Sequence, residues 1–188
     1  MNKKLIFLFS LLLLVGYLPA LNAGNGPWID AVSITHGEDN ESDGTDLFRI
    51  GMQKHWKRNW FTGGAWYLGG YWDTELAIID PGTRGGTDIY GISLTPVFRY
   101  QRDTRLSSGI TPFAEAGLGA HLLSDTHIGN NDMSTAFQVG SLLGLGVGFG
   151  ERGQYELSYR FTHISNADIR QPNDGLDLHL VKLGYNFY

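Results

Sequence analysis

From Gln154 to Thr162 the chain alternates at every step. Tyr155, Leu157, Tyr159 and Phe161 share one parity; Gln154, Glu156, Ser158, Arg160 and Thr162 share the other. A period of two marks a strand whose two faces meet different surroundings. The pattern recurs. Val181, Leu183, Tyr185 and Phe187 oppose Leu180, Lys182, Gly184 and Asn186. Phe137, Val139, Leu143, Leu145 and Val147 oppose Gln138, Gly140, Gly144, Gly146 and Gly148. Tyr90, Ile92, Leu94, Phe98 and Tyr100 oppose Ser93, Thr95 and Arg99. A sustained helical period is missing from the chain after its first two dozen residues. Strands are expected at about 28–36, 45–56, 60–72, 88–101, 110–123, 134–149, 153–165 and 176–188, the first having the poorest alternation.

The connections read as turns and loops: GEDNESDG, KRN, DTELAIIDPGTRGGT, RDTRLSSG, SDTHIGNND, GERG and NADIRQPNDG. The first, third, fifth and seventh are long and polar; the others are shorter. An even number of antiparallel strands with alternately long and short connections is the pattern of an outer-membrane barrel. The expected fold is therefore all-β, an eight-stranded antiparallel transmembrane β-barrel. In water the apolar face would instead line the core of a β-sandwich. Two features favour the membrane. Glycines and charges share one face, which suits a narrow lumen where Glu115, Glu156, Arg99 and Arg160 can pair. Tyr, Trp and Phe bound the apolar face, as at membrane interfaces. The chain also ends LGYNFY, an aromatic terminus of the kind such barrels carry.

The N-terminus reads MNKK, then an apolar run from Leu5 to Tyr17, then Leu21-Asn22-Ala23. The run is shorter than the roughly 20 residues of a spanning helix, and a small residue closes it, so residues 1–23 are expected to be a signal peptide and 24–188 the barrel. Cleavage removes two lysines and no acid, taking the formal charge from −5 to −7; a basic nucleic-acid surface is not expected. Cysteine is absent, so no disulfide holds the exported chain together. His36, His55, His121 and His127 are scattered, and no metal or cofactor is expected. The acidic run Glu38 to Gly44 lacks the spacing of an EF-hand and reads as a solvated outer loop.

One stretch resists this scheme. THISNADIRQPNDGLDLH, residues 162–179, joins the last two strands, and parity carries His163, Ser165 and Asp177 onto the apolar, outward face. Polar groups facing lipid cost free energy. Together these three have a chemical use: histidine takes the serine proton, and the carboxylate holds the imidazole's tautomer. The backbone N–H groups of Asn166, Ala167 and Asp168, or the Asn166 amide, offer an oxyanion hole. A periplasmic C-terminus puts this end of the hairpin at the outer leaflet, where lipopolysaccharide carries ester-linked acyl chains. Phe137 and Phe161, outward on adjoining strands, are candidates for acyl-chain contact.

HISNADIRQPNDGLD resembles the signature of the lipid A 3-O-deacylase (PagL) family of outer-membrane esterases: histidine, a variable residue, Ser-Asn-Ala, then Gln-Pro-Asn-Asp-Gly and an acid two residues on. The likeness is concentrated from about Tyr155 to Tyr188; upstream it is one of architecture. It implies a serine esterase with Ser165 as nucleophile, His163 as base and Asp177 as acid, with Asn173 supporting the oxyanion region. The implied substrate is the ester-linked 3-hydroxyacyl chain at the 3 position of lipid A in lipopolysaccharide. No cofactor is implied. Two residues depart from the family pattern: Asp177 stands where glutamate is usual, and Asp168 where a small residue is expected. An outer-membrane phospholipase or acyltransferase using the same residues is the alternative enzyme; a structural or adhesive small barrel is the non-enzymatic one. A homodimer stays open, as an arrangement able to gate substrate access to an outward site.

Overall fold

The computed structural model describes residues 28–39, 44–82 and 87–187. The expected signal peptide, residues 40–43 of the acidic run and Tyr188 lie outside the described residues. Among those described, no helix is long and apolar enough to cross a membrane. The strands are β1 (Ala31–Asp39), β2 (Asp46–His55), β3 (Trp66–Asp80), β4 (Ile89–Arg102), β5 (Thr111–Leu123), the short pair β6 (His127–Ile128) and β7 (Asn131–Asp132), then β8 (Phe137–Phe149), β9 (Tyr155–Ser165) and β10 (Leu176–Asn186). Eight close into an antiparallel barrel in the order β1-β10-β9-β8-β5-β4-β3-β2, and β6 and β7 form a separate two-stranded sheet. First and last strands pair from Ala31↔Asn186 to Asp39↔Leu178, so no edge is left unpaired, as an apolar surrounding requires.

The expected outward face is exposed. Leu143, Leu145, Tyr155, Leu157, Tyr159, Val181, Leu183 and Tyr185 all show large apolar side chains at the surface. A folded protein in water would not leave such a continuous band uncovered.

Three expectations need correction. First, the third strand is shifted toward the C-terminus: it runs to Asp80, whereas residues 60–65 turn back, with Trp60 bridging Leu68. DTELAIID, expected in a loop, completes this strand. Asp73 and Glu75 are instead buried inside the barrel, answered by cations from distant strands. Second, Glu38 and Asp39 belong to β1, and Asp39 is buried rather than solvated. Third, the asymmetry of loop lengths is weaker than the sequence implied. The β1–β2 connection shortens because β1 extends, and the β2–β3 connection lengthens because β3 starts late.

The lumen is filled by charge and closed at one end by hydrocarbon. Arg99 bonds Glu115 at 2.8 Å and Glu156 at 2.5 and 2.8 Å. Arg160 bonds Glu115 at 2.8 Å and Asp73 at 3.1 Å. Arg49 bonds Glu75 at 3.1 Å, and Lys182 reaches Asp73 and Glu75. Tyr71 donates to Glu115 at 2.6 Å. The pairing expected among Glu115, Glu156, Arg99 and Arg160 is present, within a larger network. In low dielectric, ions are tolerated when paired and hydrogen-bonded in this way. Glycine makes room for it: a Cβ at Gly144 would meet Arg160 Cγ at 3.0 Å. Toward the end bearing the 166–175 connection the lumen turns apolar. Leu47, Ile79, Ile89, Leu123, Ile164, Leu176, Leu178 and Leu180 gather there, and the β6–β7 hairpin lowers Ile128 and Met133 into them, both fully buried. Parity identifies an inward face but does not tell polar from apolar filling.

Candidate active site

β8, β9 and β10 lie side by side, and their register sets the site. Asp177 pairs directly with His163, and His163 with Ser141. Directly opposed residues share a face, so one row on the outer wall reads Asp177, His163, Ser141. His163 Nδ1 lies 2.6 Å from Asp177 Oδ1, a short charge-assisted contact. Both side chains are about half exposed, 46% and 36%. Ser165 follows His163 by two residues on the same face and pairs with Val139. Among the described residues Ser165 Oγ has no hydrogen bond to the imidazole. With Nδ1 turned to Asp177, Nε2 is the ring nitrogen left for a proton.

Gly175 explains the tightness around the ring. Its φ is +74°, and a Cβ there would lie 3.0 Å from His163 Cε1 and 3.7 Å from Nε2. Only glycine adopts this backbone freely and leaves the imidazole its place.

After Ser165 the chain makes a tight turn in which Ile169 N donates to Asn166 O at 3.1 Å. Ala167 and Asp168 occupy its centre with φ of 54° and 60°. Two successive left-handed residues, one an alanine, are strained and survive only where surrounding contacts enforce them. Asn166 supplies that enforcement. It is wholly buried, and its Nδ2 donates to Met133 O at 2.9 Å and to Arg170 O at 2.7 Å. Its backbone N–H donates to Asn173 Oδ1 at 2.9 Å. Asn173 Nδ2 and Gln171 Nε2 both donate to Asp168 Oδ1, each at 3.1 Å. The two Asn166 donors considered for an oxyanion hole are therefore engaged in holding the loop. The amides of Ala167 and Asp168 make no protein hydrogen bond among the described residues. The β6–β7 hairpin adds Asn131 Nδ2 to Gly175 O at 3.1 Å and Asp132 N to Asp174 Oδ2 at 2.8 Å.

A family model described as lipid A 3-O-deacylase (PagL) matches residues 46–186. The chain belongs to this family. A lipid A deacylase PagL of Pseudomonas aeruginosa is 32% identical over 130 residues, covering 69% of this chain and 72% of that protein. A lipid A deacylase PagL of Bordetella bronchiseptica is 34% identical over 106 residues, covering 56% and 54%. The crystal structure of the outer-membrane enzyme PagL superposes with a TM-score of 0.73 at 26% identity, covering 84% of this chain and 99% of that one. This member of the family is an outer-membrane barrel, as expected.

Ser141 and the contacts of His179 escaped the sequence reading. Ser141 has the parity of Val139 and Leu143 and is the one hydroxyl among their apolar side chains; reading the sixth strand without a gap would have found it. His179 stacks on Tyr159 with ring centroids 6.0 Å apart and contacts Phe161 at 5.3 Å; its Nδ1 bonds the Tyr159 hydroxyl. Phe161 thus sits one row from Asp177 and His163, while Phe137 is exposed at the start of β8, two residues before the Val139 that pairs with Ser165. His36, read as isolated, has its Nε2 3.7 Å from Asp46 Oδ1, with Glu38 beside them. All three are exposed, as expected of solvated charges, and the pairing of β1 with β2, not sequence spacing, brings them together.

Proposed function

We propose that this protein is a serine esterase that removes the ester-linked 3-hydroxyacyl chain from the 3 position of lipid A. The observation that carries the reading is the 2.6 Å His163–Asp177 contact on a wall otherwise built for lipid. A polar pair on that wall costs stability, and a catalytic role is a reason to carry that cost. The family supports the substrate, and the register supports the roles.

Ser165 Oγ attacks the ester carbonyl as its proton passes to His163 Nε2. Asp177 fixes the tautomer and stabilises the imidazolium. The free N–H groups of Ala167 and Asp168 receive the oxyanion. The tetrahedral adduct collapses, the sugar 3-oxygen leaves with the proton from His163, and the acyl chain stays on Ser165. Water, deprotonated by His163, then releases the fatty acid. In resting enzymes such hydrogen bonds are often long and close only around substrate, which accommodates the missing Ser165–His163 bond. Asn166 and Asn173 hold the turn, and Phe161 and Phe137 border the acyl chain. Residues 1–23 direct export, 24–188 form the barrel, and the site faces the outer leaflet.

Mass spectrometry of lipid A incubated with refolded protein tests this. The wild type is expected to remove one hydroxyacyl mass from position 3, and Ser165→Ala to leave lipid A unchanged. Equal release by the Ala variant would remove Ser165 as nucleophile. An unaltered spectrum with folded wild type would overturn the esterase reading.

A further inference from the structure

The four connections at the site's end of the barrel are acidic. Among the described residues they carry Asp88, Asp125, Asp132, Asp168 and Asp174, with Asp46 and Asp80 at adjoining strand ends. Arg170 is the only Lys or Arg among the described residues of these connections. Its position is built, not incidental: its carbonyl is held at 2.7 Å by Asn166 Nδ2, and Asn166 is fully buried immediately after Ser165. Its side chain is exposed, and its guanidinium has no hydrogen bond or ion pair among the described residues, although Asp168 and Asp174 are close in sequence. Asp168 is engaged by Gln171 and Asn173, and Asp174 by Asp132 N. The nearby acids are thus occupied elsewhere, and one cation is left unclaimed on a fixed backbone.

We propose that Arg170 binds the phosphomonoester on the same sugar that bears the scissile ester. This rests on the esterase reading above. Lipid A is an anionic glycolipid, and the acids described on this rim repel it; the guanidinium of Arg170, the one Lys or Arg among the described residues of these connections and five residues after Ser165, gives the approaching headgroup an attractive point and so sets its orientation. An arginine side chain spans roughly two strand steps, enough to sweep the space over the 166–169 turn. Its planar fork suits a phosphate bidentately, which a lysine cannot match. Arg170 is a substrate-binding residue here and takes no part in proton transfer.

The test is a two-by-two cycle in non-ionic mixed micelles with chelator present. Wild type and Arg170→Ala are each assayed on lipid A bearing both phosphates and on its mild-acid product lacking the anomeric phosphate. On the first substrate Arg170→Ala is expected to raise KM roughly tenfold with kcat little changed, the pattern of lost uniform binding. Losing the phosphate and losing the arginine should be non-additive, the second loss adding less than about twofold. Arg170→Lys should fall between wild type and Arg170→Ala. Equal KM penalties on both substrates, or none on the first, would overturn the proposal while leaving the esterase intact. A wild type inert toward both would instead remove the esterase reading and this proposal with it. Heat-modifiable gel migration verifies that each variant is a folded barrel.

Discussion

Asp177 meets His163 across a single pair of strands, so the length of the acid matters. With the carboxylate one methylene from the backbone, the contact closes at 2.6 Å. Asp177→Asn keeps the shape but allows the wrong tautomer, and kcat should fall by roughly 10³- to 10⁴-fold. Asp177→Glu restores the charge and should retain more activity than Asp177→Asn; the reverse order in single-turnover release would mean that the carboxylate's charge is not what the site uses. Gly175 is the second sensitive residue. A methyl group there meets His163 Cε1 at 3.0 Å on a backbone with φ of +74°. Gly175→Ala should lower kcat by about a hundredfold, since sub-ångström displacement of a reacting group has effects of that order. Kinetics on a barrel that still shows heat-modifiable migration checks it, and unchanged kcat would show that the ring has room to move.

The element that governs the site is one that no strand alternation revealed. The β6–β7 hairpin lies in the connection SDTHIGNND, read from sequence only as loop. Its two inward residues, Ile128 and Met133, are fully buried, and its backbone and Asn131 hold Asn166 and Gly175. Two-residue strands carry too few positions to display a period, and the anchoring runs through main-chain carbonyls, which sequence does not encode residue by residue. The long strands, and the shared parity of His163, Ser165 and Asp177, were legible because parity over ten residues is hard to mimic. The placing of Asp73 and Glu75 was not, because an acid beside apolar residues reads equally as turn or as lumen until its cation is known. Asn166→Ala removes the Nδ2 donors, so Arg170 O loses its hydrogen bond while Met133 O keeps those from Thr135 N and Gln138 Nε2. It should destabilise the loop by about 1–3 kcal/mol and abolish activity well before the barrel melts. Limited proteolysis should then cut within 124–136 or 166–175 while the strands stay protected. Simultaneous loss of loop and barrel would show that the hairpin supports the whole fold.

At the scale of the molecule the interior balances itself. Arg49, Arg99, Arg160 and Lys182 face Asp73, Glu75, Glu115 and Glu156. Glu115 joins two of the arginines and Tyr71, so Glu115→Ala strands charge in a low-dielectric interior. Breaking such a pair on one side costs about 3–5 kcal/mol, and the temperature at which the barrel loses heat-modifiable migration should drop markedly; an unshifted midpoint would show that water enters the lumen. Among the described residues the lumen is filled by ions below and hydrocarbon above. Planar bilayers containing the protein are expected to show no stepwise conductance, and discrete steps would mean that the Ile128 and Met133 cap opens.

The His163–Asp177 pair opens sideways, off the barrel wall rather than into a cleft. If this pair is the proposed active site, half of the reaction chamber is not encoded in the chain at all; it is supplied by whatever molecules happen to surround it. On the proposed reading substrate arrives by lateral diffusion in two dimensions, and its effective concentration is a mole fraction in the leaflet, not a molarity. Neighbouring acyl chains set the fluidity, pressure and polarity at the reacting carbonyl. The composition of the host bilayer thus acts on turnover as an amino-acid substitution would, and a cell can tune this enzyme without altering a single residue of it.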